Sequence, residues 1–206
     1  MKVAIVKYNS GNIRSVQNAL ARLGVEASLT DDPKELAAAD RVIFPGVGEA
    51  SSAMAYLRTK GLDGTIRSLT QPVLGICLGM QLLGRTSAEN NTDCLGILPY
   101  AVHRFDSSDV KVPHVGWNNI SGLRSSLFDG IAESEYMYFV HSYFVETGPE
   151  TIAETEPAPS QSSTRTGTMA SRSVPRPTRG SRMSAGGSDG SASTSCRSCG
   201  TSSAAT

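Results

Sequence analysis

The stretch Pro72-Val73-Leu74-Gly75-Ile76-Cys77-Leu78-Gly79-Met80-Gln81-Leu82-Leu83 leaves the fewest choices of fold. Val73 to Ile76 is a short apolar run of the length expected for a fully buried strand. From Leu78 onward, Leu78, Leu82 and Leu83 take up helical spacing. Cys77 stands at the junction, with a glycine two residues away on either side. Gly-x-Cys-x-Gly has the spacing of the Gly-x-Ser-x-Gly elbow, in which a nucleophile rides a tight strand-to-helix turn that tolerates only small neighbours. Such a turn presents the sulfur rather than burying it. A helix starting just beyond it would lower the thiol pKa and enrich the attacking thiolate. The competing reading is a core cysteine, because free Cys is among the most buried residue types.

The chain before the elbow alternates strand and helix. Lys2 to Tyr8 reads as a strand, Asn9-Ser10-Gly11-Asn12 as a turn and helix cap, and Ile13, Val16, Ala19, Leu20 and Leu23 as one apolar helical face ended by Gly24. Val25 to Leu29 is a second strand. Asp31 or Asp32 caps a short helix through Pro33-Lys34-Glu35-Leu36, and Arg41-Val42-Ile43-Phe44 is a third strand. Helices through Ala50–Arg58 and 64–69 return the chain to Val73. This order predicts an α/β fold, a mainly parallel sheet with helices on both faces. Ligands of open α/β sheets gather at the carboxyl ends of strands. Pro45-Gly46-Val47-Gly48 lies at such an end, and its glycines suit a backbone N–H turned toward a developing negative charge.

Residues 94–145 change character. Short strands are expected at Leu95–Leu98, Ala101–Phe105, Lys111–Asn119 and Tyr136–Val145, the last patterned as a central strand, with Thr151–Glu156 as one more. His103, His114 and His141 are the only histidines, and no pair has the close spacing of a metal site.

Five segments occur here in the order found in one family: Tyr8-Asn9-Ser10-Gly11-Asn12-Ile13-Arg14-Ser15-Val16, Pro45–Gly48, Gly75–Leu83, His114-Val115-Gly116-Trp117-Asn118 and Tyr138-Phe139-Val140-His141-Ser142-Tyr143. Residues 1 to about 156 thereby resemble the glutamine amidotransferase subunits of imidazole glycerol phosphate synthase, a branch of the class I glutamine amidotransferases. The resemblance implies hydrolysis of glutamine to glutamate and ammonia, with Cys77 attacking the side-chain amide to form a γ-glutamyl thioester. It implies an oxyanion hole from the N–H of Leu78 and an N–H of the 46–48 loop, on Val47 or Gly48. Gly46, Gly79, Gln81, Ser142 and Tyr143 would line the glutamine pocket. Ammonia would pass to a (β/α)₈-barrel cyclase in a cytoplasmic heterodimer of histidine biosynthesis. The resemblance implies neither cofactor nor metal.

The pattern breaks at Glu156-Pro157. In that family the general base and its orienting carboxylate come from a His-Pro-Glu segment near the C-terminus, and this chain has no His beyond His141. Residues 157–206 hold fourteen Ser, seven Thr, six Gly and six Arg, but no Leu, Ile, Phe, Tyr or Trp. Such a segment cannot bury a core, so a disordered low-complexity tail is expected. Its net charge of +5 offsets the −5 of residues 1–156. The arginines are scattered without aromatics between them, which argues against nucleic-acid binding. Cys196 and Cys199 lack the second pair of a metal site. No apolar run has membrane-spanning length, and Met1–Val6 runs into a strand without a signal peptide's cleavage region. The abrupt break implies a change of reading frame near codon 156, and with it impaired catalysis. Two alternatives stay open: a non-catalytic subunit that docks on the cyclase, or an amidotransferase of a different synthase. His141 is a candidate substitute base.

Overall fold

A computed structural model describes residues 1–8, 12–108 and 110–156, and the backbone of 167–170. These lie within one compact unit, Met1–Val174; a second unit, Pro175–Thr206, falls outside the described residues.

Four parallel strands come first, β1 (Val3–Val6), β2 (Ala27–Thr30), β3 (Arg41–Phe44) and β4 (Val73–Gly75), in the order β2-β1-β3-β4. Both faces are covered because alternate side chains of apolar strands point opposite ways. Val3, Ile5 and Ile43 meet Ile13, Val16 and Leu20 of α1 (Ile13–Arg22). Ala4, Val6, Val42 and Phe44 face the larger core built with α2 (Pro33–Ala38), α3 (Ala50–Thr59), α4 (Leu62–Ser68) and α5 (Leu78–Leu83). Asp32 caps α2 through its carboxylate on the Lys34 N–H, 2.8 Å, with Pro33 in the first turn. Gly24 ends α1 at φ 68°, the left-handed conformation expected there. Two details differ from expectation. Leu23 is 75% exposed, off the apolar face. Asn12 precedes α1 without capping it by its side chain, and residues 9–11 lie outside the described residues.

Beyond α5 two further four-stranded sheets form. One runs β10-β7-β5-β6, from β5 (Thr86–Ser87), β6 (Thr92–Asp93), β7 (Ala101–Arg104) and β10 (Tyr143–Val145). The other runs β12-β11-β8-β9, from β8 (His114–Ser121), β9 (Tyr136–His141), β11 (Thr151–Thr155) and β12 (Gly167–Ala170). The expected strand at Leu95–Leu98 does not form. The N–H groups of Leu95, Ile97 and Leu98 instead cap the last carbonyls of α5, on Leu82 and Leu83, at 2.9–3.0 Å. Tyr136–Val145 is not one central strand either. It breaks at Ser142, its first half is the edge of its sheet, and its second half joins the other sheet. Within the segment expected as a tail, Gly167–Ala170 pairs antiparallel with β11. The rest of 157–206 lies outside the described residues.

Candidate active site

Cys77 links β4 to α5 with φ 52° and ψ −115°, a conformation that non-glycine residues rarely adopt. The flanking glycines are required by contact. A Cβ on Gly75 would lie 2.7 Å from the Met80 Cα, and one on Gly79 would drive into the carbonyl oxygen of Phe44. The turn is held by Ile76 N–H to Phe44 O, 3.0 Å, and Gly79 N–H to Ile76 O, 3.0 Å. Cys77 is exposed, as the elbow predicts. Its electrostatics depart from expectation. Desolvation by the protein around the sulfur raises the thiol pKa above its ordinary value, and the Leu78 backbone N–H offsets this only in part. The helix behind the sulfur has six residues, and no histidine acts on the thiol.

The Pro45–Gly48 loop faces the elbow. The Leu78 N–H, an expected oxyanion donor, is engaged with the Gly46 carbonyl at 3.3 Å, so a developing oxyanion competes for it. Gly48 has φ 115°, a conformation in which a side chain is strained, and Val47 is half-exposed.

A cavity of about 520 Å³ opens beside the sulfur, its wall mostly apolar. Cys77, Gln81, His141 and Tyr143 share it, whereas Gly46, Val47, Gly48, Leu78, Gly79 and Ser142 are not part of its wall. The Gln81 amide reaches the Tyr143 carbonyl at 3.5 Å, the limit of a hydrogen bond. Ser142 departs from its expected place. It sits in the bend between β9 and β10, with its carbonyl accepting the Phe105 N–H at 3.1 Å.

The histidines serve three environments. His103 Nε2 lies 3.2 Å from Glu146 at the surface; the carboxyl is held below its usual pKa first by the Ala101 N–H, then by this imidazole. His114 is buried, its Nε2 2.7 Å from the Asn118 amide. His141 Nδ1 lies 2.8 Å from the Tyr143 carbonyl, so that nitrogen carries the proton and Nε2 keeps its lone pair. Burial lowers the pKa of both His114 and His141. Among the described residues no group of His, Cys, Asp and Glu could hold a metal ion, and no helix is long and apolar enough to cross a membrane.

The model of the glutamine amidotransferase class-I family matches residues 4–178. The chain belongs to the class-I glutamine amidotransferase family. Within it, the imidazole glycerol phosphate synthase subunit HisH of Bacteroides fragilis strain YCH46 is 58% identical over 158 residues, 76% of this chain and 81% of that protein. The subunit of the same name from Idiomarina loihiensis is 46% identical over 156 residues, 76% and 79% of the two chains. A crystal structure of a glutamine amidotransferase shares the fold, with TM-score 0.57 at 20% identity over 73% of this chain and 78% of that one.

Three residues that shape this amidotransferase site were not singled out by sequence. The buried Tyr8 donates its hydroxyl to the Pro45 carbonyl at 2.6 Å. Glu89 accepts the Ala50 N–H at 2.7 Å where α3 leaves the loop. Tyr100 donates to the Met80 carbonyl at 2.5 Å and packs over Gly84. Tyr8 read as the last residue of a strand, and nothing in the sequence pattern marks Glu89; only folding brings each to its backbone partner.

Proposed function

We propose that this chain is the cytoplasmic glutaminase subunit of an imidazole glycerol phosphate synthase, hydrolysing glutamine to glutamate and delivering ammonia to a (β/α)₈-barrel cyclase. The observation that carries the reading is Cys77 itself, held at positive φ between two glycines that the packing requires, opposite a glycine loop. Its thiolate attacks the side-chain amide carbon of glutamine. The C–N bond breaks as the departing NH2 group takes a proton from water and leaves as ammonia, and a second water then cleaves the thioester, releasing glutamate and returning the Cys77 thiol. Leu78 with Val47 or Gly48 supplies N–H groups to the oxyanion; Gln81 and Tyr143, on the cavity wall beside Cys77, hold the substrate. The exposed apolar face of paired β8 and β9, with Trp117 opposite Tyr138, supports association with a cyclase. No cofactor is called for.

The absence of any His beyond His141 favours a second reading, a subunit that docks on the cyclase with little glutaminase activity of its own. A thiolate without a paired imidazole loses proton transfer to the leaving ammonia, commonly worth about 10²–10⁴-fold. A change of reading frame near codon 156 accounts for the missing His-Pro-Glu segment, and an uninterrupted frame on resequencing would remove that explanation. The test is glutamine turnover with the cyclase added, alongside Cys77 labelling by the chloromethyl ketone analogue of glutamine. Labelling of position 77 that Cys77→Ala abolishes supports the assignment, and an unlabelled Cys77 sinks it. Labelling with turnover at least about 10²-fold below that of an enzyme with an intact triad selects the docking subunit. Loss of turnover in His141→Ala would make that imidazole the substitute base.

A further inference from the structure

The loop facing Cys77 is tied down at each end. Upstream, the Tyr8 hydroxyl donates to the Pro45 carbonyl at 2.6 Å; downstream, Glu89 accepts the Ala50 N–H at 2.7 Å. Tyr8 arrives two residues beyond β1, the strand beside β3, and is 4% exposed. Its ring lies against that of Phe44, centroids 5.3 Å apart. The hydroxyl also occupies the place a Gly46 side chain would take, while the Gly79 nitrogen and Leu78 Cβ stand 2.9 Å from that same place. Gly46 is therefore clamped between Tyr8 and the nucleophile elbow.

We propose that Tyr8 is a positioning residue for the oxyanion loop, its hydroxyl fixing the Pro45–Gly46 peptide plane against the turn that carries Cys77. In a trans peptide the C=O and N–H point opposite ways. Binding the Pro45 carbonyl thus sets the direction of the Gly46 N–H and pins the near end of the peptide that carries the Val47 N–H. Without the hydroxyl a buried carbonyl loses its donor and the plane is free to turn. The inference rests on the roles proposed for Cys77 and this loop.

The test uses the full chain and two alkylating agents. The chloromethyl ketone analogue of glutamine passes through a tetrahedral oxyanion at its ketone carbon; iodoacetamide is displaced directly and needs no such stabilisation. Tyr8→Phe keeps the ring and removes only the hydroxyl. It is expected to slow Cys77 labelling by the ketone about tenfold, less than loss of a direct donor, and to leave iodoacetamide labelling within about twofold. Phe44→Leu loosens the ring contact and keeps the hydroxyl, so it should leave the ratio of the two rates unchanged. Equal slowing toward both reagents in Tyr8→Phe, no slowing at all, or an equal change of ratio in Phe44→Leu would each overturn the inference while leaving the assignment of Cys77 intact. Failure of the ketone to label Cys77 in the unmutated chain would overturn both.

Discussion

The sheet that carries Cys77 and the β8–β9 ribbon are both β-structure rich in apolar residues, yet they are solvated in opposite ways. β1 and β3 lie inside their sheet with helices on both faces, and Ala4, Ile5, Val6 and Phe44 are wholly buried. The ribbon pairs His114–Asn119 with Tyr136–His141 antiparallel, and one face is exposed among the described residues. Trp117 opposite Tyr138 is 65% and 56% exposed, with Val115 opposite Val140 and Tyr136 on the same side. The closed region holds Cys77 in a strained conformation because surrounding backbone leaves it no alternative. The open region presents aromatic and β-branched side chains on an edge, the kind of surface that marks an interaction site. The strained turn and the exposed apolar face thus lie in separate parts of one unit.

Truncation should separate the two regions most widely. Leu82, wholly buried in the main core, is expected to cost about 4 kcal/mol as Leu82→Ala. Trp117→Ala should change stability by only about 0.5 kcal/mol, while weakening association with the added cyclase. Denaturant unfolding and a binding titration read the pair; a large stability loss from Trp117→Ala would mean that the bare face packs against something within the chain.

Glycine replacement sharpens the contrast. Gly79→Ala places a methyl group against the Phe44 carbonyl and should cost about 3 kcal/mol, with loss of Cys77 labelling. Gly116→Ala in the ribbon meets open space, and Gly116 is not at positive φ; a gain of about 0.5 kcal/mol is expected. Melting curves of the two variants decide.

The smallest expected effect is on pH. His114 and His141 both have pKa values lowered by burial, so the folded chain binds fewer protons than the unfolded chain just below the ordinary imidazole pKa of about 6.5. Stability is therefore full above that value and falls as pH drops through it. The loss is at most about 1.4 kcal/mol per pH unit for each group. Asn118, Phe105, Phe139 and the Tyr143 carbonyl surround the two rings, and each ring lies against the other. A double His114→Gln, His141→Gln chain should show a flatter stability profile between about pH 5 and pH 7.

How much was legible follows the same division. The elbow, its two glycines, the capped helices and the parallel sheet were readable because each rests on local spacing: Gly75-x-Cys77-x-Gly79, Asp32-Pro33, Gly24. Leu95–Leu98 misled because a short buried apolar run looks alike whether it pairs in a ladder or caps the carbonyls of a helix 13 to 15 residues back. Tyr136–Val145 misled because alternation reports two faces, not whether either is covered. The thiol was misjudged because desolvation depends on every atom around the sulfur, not on the helix that follows it.

Chain order alone determined where a sulfur would be presented, since the backbone of a strand-to-helix turn is set by its own few residues and their side-chain volumes. Tertiary structure decided what surrounds that turn: a Tyr8 hydroxyl from β1's end and a Glu89 carboxylate 39 residues beyond the helix start it meets hold the two ends of the 45–48 loop, and β9 and β10 supply the cavity wall beside the sulfur. Those partners are distant in sequence, and hydrogen bonds and desolvation act through space rather than along the chain.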